Sequence, residues 1–186
     1  YQKKVLLYDL GGGTFDVTVM AIRDKVFEVL AAGGDTFLGG MDFDNRIVNY
    51  VLDKFEAEHG VDLSEDMMAL QRIRDAAESA KIELSQRQET RISIPYVATG
   101  PQGPLNIDVT VTRETFNKLV DDLVDLTITH CVGVLSDAKL PMEKLDDIIL
   151  VGGMTRVPRV GDKLQEFFKK PLIRNVHPDE AVALGA

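Results

Sequence analysis

The chain has 186 residues, 45% of them hydrophobic and 27% charged, enough to bury a core in one large domain or two small ones and ordinary for a globular protein. Lys and Arg number 21 against 30 Asp and Glu, and the net charge of -9 argues against a surface that coats nucleic acid, so any phosphate must be held locally. No apolar run approaches the ~20 residues of a membrane span, nothing reads as a signal peptide, and a single cysteine, Cys131, precludes an internal disulfide and fits a reducing, cytoplasmic setting.

In chain order, an apolar run from Val5 reaches Asp9, Gly11-Gly12-Gly13 reverse the backbone, and an alternating run leaves with Thr14 and Asp16 near its start. This predicts strand, turn, strand. Successive glycines allow positive φ and expose backbone N–H groups to an anion, for which a phosphate is the natural candidate. Asp9 and Asp16 on either side suit a hydrated magnesium ion that travels with a nucleotide, and Thr14 adds a hydroxyl. The spacing excludes a P-loop, which needs Lys followed by Ser or Thr and then a helix. It also excludes the dinucleotide fingerprint, whose sixth position is Gly or Ala opening a helix, where this chain has Asp16. Taken alone, three glycines between strands are also simply a hairpin turn.

Lys25 to Gly33 alternates again, completing a three-stranded antiparallel meander. A second glycine-rich loop, Gly34 to Asp42, contains Gly39-Gly40, and Asp42 is the expected N-cap of a helix whose stripe of Phe43, Ile47, Val51 and Phe55 runs to about Glu58. Ser64-Glu65-Asp66 opens a second helix. Glu78, Lys81 and Ser85 stand above one another on its polar side, as a grip for one ligand or, in the plainer reading, as a solvated Glu78–Lys81 ion pair. Strands follow at 90–98 and 105–111, joined by a Gly- and Pro-rich loop. Thr112 then caps a long helix to about Ala138, with Cys131 in its core stripe. Ile148 to Val151 is wholly apolar and suits a strand buried on both faces, after which Gly152-Gly153 lead to a helix with Pro158 in its first turn. A glycine pair at a helix N-terminus favours phosphate, although such pairs are common in purely structural turns. His177-Pro178-Asp179-Glu180 begins a last helix, and an opening without Met together with an end inside an apolar pattern suggests an excised piece.

Together, Asp9-Leu-Gly-Gly-Gly-Thr-Phe-Asp16, Gly34-Asp-Thr-Phe-Leu-Gly-Gly40, Glu78-Ser-Ala-Lys-Ile-Glu-Leu-Ser85, Val151-Gly-Gly-Met-Thr-Arg-Val-Pro158 and the run from Pro178 to Ala186 resemble the seventy-kilodalton heat-shock chaperones, in the family's order and over the whole chain. The resemblance implies an α/β fold, the second lobe of an actin-like ATPase domain. Residues 1–38 and 113–186 would form its ribonuclease-H-like base and 39–112 an inserted α+β subdomain. It also implies ATP or ADP with Mg2+. Gly11, Gly12, Gly13 and Thr14 would line the β- and γ-phosphates, Asp9 and Asp16 would hold the metal's water shell, and Asp9, Thr14 and Asp16 would serve catalysis. Gly39 and Gly40 would approach the phosphates, and Glu78, Lys81, Ile82 and Ser85 would hold the adenosine. Gly152, Gly153, Met154 and Arg156 would border the nucleoside and α-phosphate, with Asp179 behind the phosphates. Some relatives carry Arg at position 82 and an acid at position 41, where this chain has Ile82 and Met41; the isoleucine resembles the bacterial branch and would make the adenine contact apolar.

The other phosphate loop and an essential lysine belong to a first lobe that this chain lacks, so the fragment is expected to bind nucleotide weakly and turn over almost none. In the intact protein the resemblance implies closure on ATP that lowers the affinity of a separate peptide-binding domain for unfolded polypeptide. A J-domain co-chaperone and a nucleotide-exchange factor would act on the parent protein. An actin-like filament protein or sugar kinase shares the two glycine loops but not the Glu78-to-Ser85 helix, and is the alternative.

Overall fold

The computed structural model describes residues 2–174. The chain divides into two compact units, residues 1–41 with 122–186 and residues 42–121.

The first unit is built on a five-stranded sheet. Strands β1 (Lys3–Leu10), β2 (Phe15–Arg23) and β3 (Val26–Asp35) form the expected meander, and β6 (Asp147–Val151) lies parallel to β1, followed by the short β7 (Leu172–Ile173), for a strand order of β3-β2-β1-β6-β7. Central β1 is apolar on both faces because both are covered. On one side Val5 joins Met20, Ile22 and Ile149 in a buried cluster flanked by Leu7, Val151 and Ile173. On the other, Leu6, Tyr8 and Leu10 are fully buried, and the Tyr8 hydroxyl donates to Thr127 Oγ1 at 2.7 Å. Thr127 lies on α3 (Arg113–Asp137), the long helix predicted from its apolar stripe, and its own hydroxyl donates to the Val124 carbonyl at 2.6 Å. Cys131 is buried in the same helix, and burial pushes its thiol well above the usual range. β7 has no sequence signature. Two apolar residues after Pro171 carry no periodicity to read.

The second unit combines helices and a hairpin. α1 (Gly40–His59) buries Phe43, Ile47, Val51 and Phe55, but it starts three residues earlier than an N-cap at Asp42 implies, so Asp42 lies in its first turn and not at its N-cap. In α2 (Met67–Leu84), Asp66 is the N-cap and accepts from the Ala69 amide at 3.1 Å, a bond type worth about 1 kcal/mol. The apolar side of α2 meets β4 (Glu89–Gly100) of the hairpin, and Arg72 donates to the Pro95 carbonyl at 2.7 Å. β4 and β5 (Gly103–Thr112) are longer than the alternation indicated, because Gly100 pairs with Gly103 around a two-residue turn at Pro101-Gln102 and Gly103 takes φ 122°. Thr112 Oγ1 accepts from the Thr115 amide at 3.0 Å, the predicted cap of α3. The helix expected at His177 to Glu180 lies outside the described residues.

The buried Tyr8–Thr127 bond yields an asymmetric prediction. Tyr8→Phe removes the donor and leaves Thr127 bonded to Val124, so it should cost about 1 kcal/mol. Thr127→Val strands a buried phenol and should cost about 1–3 kcal/mol, both read by urea denaturation.

Candidate functional site

The first unit gathers three loops at one end of its sheet. Asp9 pairs in register with Val151, so neighbouring parallel strands release their glycine turns at the same end. The turn after β1 is closed by the Gly11 amide donating to the Thr14 carbonyl at 3.0 Å. Its glycines do not use left-handed φ as expected; among the described glycines positive φ occurs at Gly34, Gly60, Gly103 and Gly152. Their value is space. A Cβ on Gly12 or Gly13 would meet nothing within 4 Å, so this backbone borders an open region that an anion can approach.

Main-chain bonds join the second glycine loop to the first. The Gly40 amide donates to the Gly11 carbonyl and the Met41 amide to the Gly12 carbonyl, each at 2.8 Å, while a Cβ on Gly39 would come within 2.6 Å of Gly13 N and C. No side chain fits there. Asp35 shapes the approach by accepting from the Phe37 amide at 2.8 Å, and His130 Nε2 on α3 lies 3.7 Å from the other Asp35 oxygen.

Asp9 and Asp16 are direct partners across the β1–β2 hairpin. Like charges so placed repel. Partial burial, and then the Asp16 charge, raise the Asp9 carboxyl above its ordinary value. Gly152 closes the third side at φ 95°, where a Cβ would strike the Leu10 carbonyl and lie 3.0 Å from Asp9 Oδ1. Among the described residues no three His, Cys, Asp or Glu side chains cluster as a complete metal site. Two opposed carboxylates beside an open glycine turn are a donor set that fits a magnesium ion keeping most of its waters.

The helix after β6 starts at Pro158, as expected, but the glycine pair does not itself stand at its N-terminus. A 3-10 turn, Gly153–Arg156, intervenes before α4 (Pro158–Phe168), because the proline fixes the helix start five residues beyond Gly153. Within this turn the Thr155 hydroxyl donates to the Gly152 carbonyl at 2.7 Å. Met154 and Thr155 are buried, whereas Gly153 and Arg156 are exposed.

The remaining candidates belong to the second unit. Lys81 Nζ lies 2.9 Å from Asp44 Oδ1 on α1, and the two side chains are only 12% and 16% exposed. The plainer expectation of a solvated Glu78–Lys81 pair is therefore replaced by a largely enclosed Lys81–Asp44 pair. Burial raises the Asp44 carboxyl, Lys81 opposes that by hydrogen bond and charge, and Glu78 adds to it. Glu78 and Ile82 are exposed, and Ser85 ends α2 with its hydroxyl donating to the Ile82 carbonyl at 2.6 Å. Asp44 carries no sequence signal as a partner for Lys81, because an acid near a helix start reads as dipole compensation, like Asp42 beside it. Asp179 lies outside the described residues.

A mixed sheet carrying paired glycine turns, with helices around it, is the architecture of the actin-like ATPase fold, and the family model described as Hsp70 protein matches residues 1–186. The chain belongs to the Hsp70 family. It is similar to the chaperone protein DnaK of Thermosipho melanesiensis, with 53% identity over 185 residues that take in 100% of this chain and 31% of that protein. The chain thus spans about a third of the length of this relative. No helix among the described residues is long and apolar enough to cross a membrane.

The main-chain seat of Gly39 makes Gly39→Ala costly; forcing Gly13 aside should lower stability by about 1–3 kcal/mol in urea titrations. Asp9 provides a pH test. Its carboxyl is raised in the folded chain, so ionising it is harder folded than unfolded, and the resulting penalty is complete above the folded value and vanishes below the ordinary aspartate range. Asp9→Asn should raise the Tm at pH 7 without divalent cations, with the gain disappearing as the pH falls toward 3.

Proposed function

We propose that residues 1–186 are the second lobe of the ATP-binding and ATP-hydrolysing domain of a chaperone. A base of residues 1–38 and 113–186 would carry the phosphate loops, and an insertion at 39–112 would carry the adenosine grip. The observation that carries this reading is the pair of glycine loops locked by Gly40–Gly11 and Met41–Gly12 backbone bonds beside the opposed Asp9 and Asp16. The DnaK name of a relative at 53% identity supports it.

In this reading the open backbone of Gly11, Gly12 and Gly13 and the Thr14 hydroxyl receive the β- and γ-phosphates, and Gly39 and Gly40 stiffen that cradle from behind. Asp9 and Asp16 hold waters of Mg2+, which supplies positive charge to the phosphate oxygens when bound. Gly152, Gly153 and Arg156 border the nucleoside and α-phosphate, with the buried Met154 fixing their turn. Glu78, Lys81, Ile82 and Ser85 hold the adenosine, with Asp44 orienting the lysine. Asp179 completes the set. Phosphoryl transfer depends on positioning and charge stabilisation, so a lobe that supplies half of the contacts binds more readily than it catalyses.

In the intact protein, closure on ATP would release unfolded polypeptide from a separate peptide-binding domain. Hydrolysis, stimulated by a J-domain co-chaperone, would restore tight binding, and a nucleotide-exchange factor would act on the insertion. The setting is cytoplasmic.

Calorimetric titration of ADP and ATP with and without Mg2+ tests the assignment. The chain alone should bind weakly, with binding strengthened when the first lobe is supplied. Lys81→Ala should weaken ADP roughly tenfold, the scale of one charged hydrogen bond, and Asp16→Asn should reduce the benefit of Mg2+. Steady ATP hydrolysis by residues 1–186 alone, abolished by Thr14→Ala, would overturn the division of labour. No nucleotide binding even with the first lobe present would overturn the nucleotide reading.

A further inference from the structure

The 3-10 turn at Gly153–Arg156 reaches a carbonyl, that of Thr155, for which no 3-10 donor exists. A 3-10 continuation would bond the Thr155 carbonyl to the amide three residues on, but that residue is Pro158, which has no N–H. The donor comes from elsewhere: Arg174 Nη1, immediately after β7, donates to the Thr155 carbonyl at 2.7 Å. β7 is itself fixed, because Ile148 pairs with Leu172 and Ile149 with Ile173 in the sheet. Space for the guanidinium is left by a missing side chain. Gly161 is buried within α4, and a Cβ there would overlap Arg174 Nη2, the far end of a flexible side chain.

We infer that Arg174, seated in the gap left by Gly161, is a positioning residue that holds the Gly152–Arg156 turn in its nucleotide-receiving conformation. The inference rests on the nucleotide reading above and goes beyond it, since neither residue belongs to the glycine motifs. A charged donor on one carbonyl restrains the turn from outside, while the Thr155 hydroxyl restrains it from inside through Gly152. Glycine at 161 serves this bond and not the backbone. It sits in a helix at a negative φ that alanine prefers, and alanine in a helix interior is more favourable than glycine by up to about 1 kcal/mol.

That opposition makes the test sharp. In the full-length protein that contains this chain, Gly161→Ala should lower the Tm less than Arg174→Ala does, because helix propensity offsets part of the lost hydrogen bond, while weakening ADP roughly three- to tenfold as the methyl displaces the guanidinium. Arg174→Ala should weaken ADP by a similar factor, and the double substitution should add nothing further. Arg174→Lys should retain part of the affinity, since one ammonium can donate to the Thr155 carbonyl without covering residue 161. In that background Gly161→Ala should have no effect on ADP. Loss of affinity only in proportion to lost Tm would overturn the positioning role. So would unchanged ADP affinity in Gly161→Ala and Arg174→Ala when Lys81→Ala weakens it, and that result would leave the nucleotide reading intact. If the unaltered protein binds no ADP, the nucleotide reading fails and the positioning role fails with it.

Discussion

Everything in the first unit depends on β1 having two kinds of neighbour. It is antiparallel to β2 and parallel to β6, so the turn that leaves Leu10 and the turn that leaves Val151 are delivered to one end of the sheet. A hairpin alone would give one glycine turn and a free flank. The parallel partner, reached through the long crossover that contains α3, adds a second turn whose Gly152 lies against Leu10 and Asp9. The apolar character of β1 on both faces is the sequence counterpart of this position, because a strand with neighbours on both edges and cover on both faces has no side left to be polar.

The charge distribution follows from that geometry. The charge buried within the sheet is paired, Asp147 of β6 with Lys3 of β1, whereas the candidate carboxylates lie where β1 and β2 part. Asp9 and Asp16 face each other at a place that folding alone does not favour, since burial and the neighbouring charge both oppose ionisation of Asp9. Asp44 in the second unit shows the opposite solution. Its carboxylate is enclosed but paired with Lys81, so the pair is a preformed element and not a source of repulsion.

Much of this was legible in the residues. The meander, the helices from Phe43, Met67 and Phe116, and the apolar strand at 148–151 each carry a strong period, and the glycine motifs carry the candidate phosphate contacts. Three things were not legible, for physical reasons. Glycine is needed at Gly39 for close approach and at Gly12 and Gly13 for open space, and a glycine-rich string does not say which. The partner of Lys81 lies 37 positions away on another helix, beyond any local spacing rule, whereas Glu78 three residues away was the visible acid. β7 and Arg174 act through a two-residue pairing and a single side chain, both too short to leave a pattern.

The join between the two glycine loops consists of amides, carbonyls and α-carbons. It contains no group that titrates and no net charge for ions to screen, so ionic strength and proton concentration act on it only indirectly. The seam is therefore set apart from the ionisable side chains around it, Asp9, Asp16, Asp35 and His130, and salt and pH act on those first. Selection can retune how strongly such a site responds to its ionic surroundings by changing acids one at a time, without disturbing the backbone seam that gives the cradle its shape.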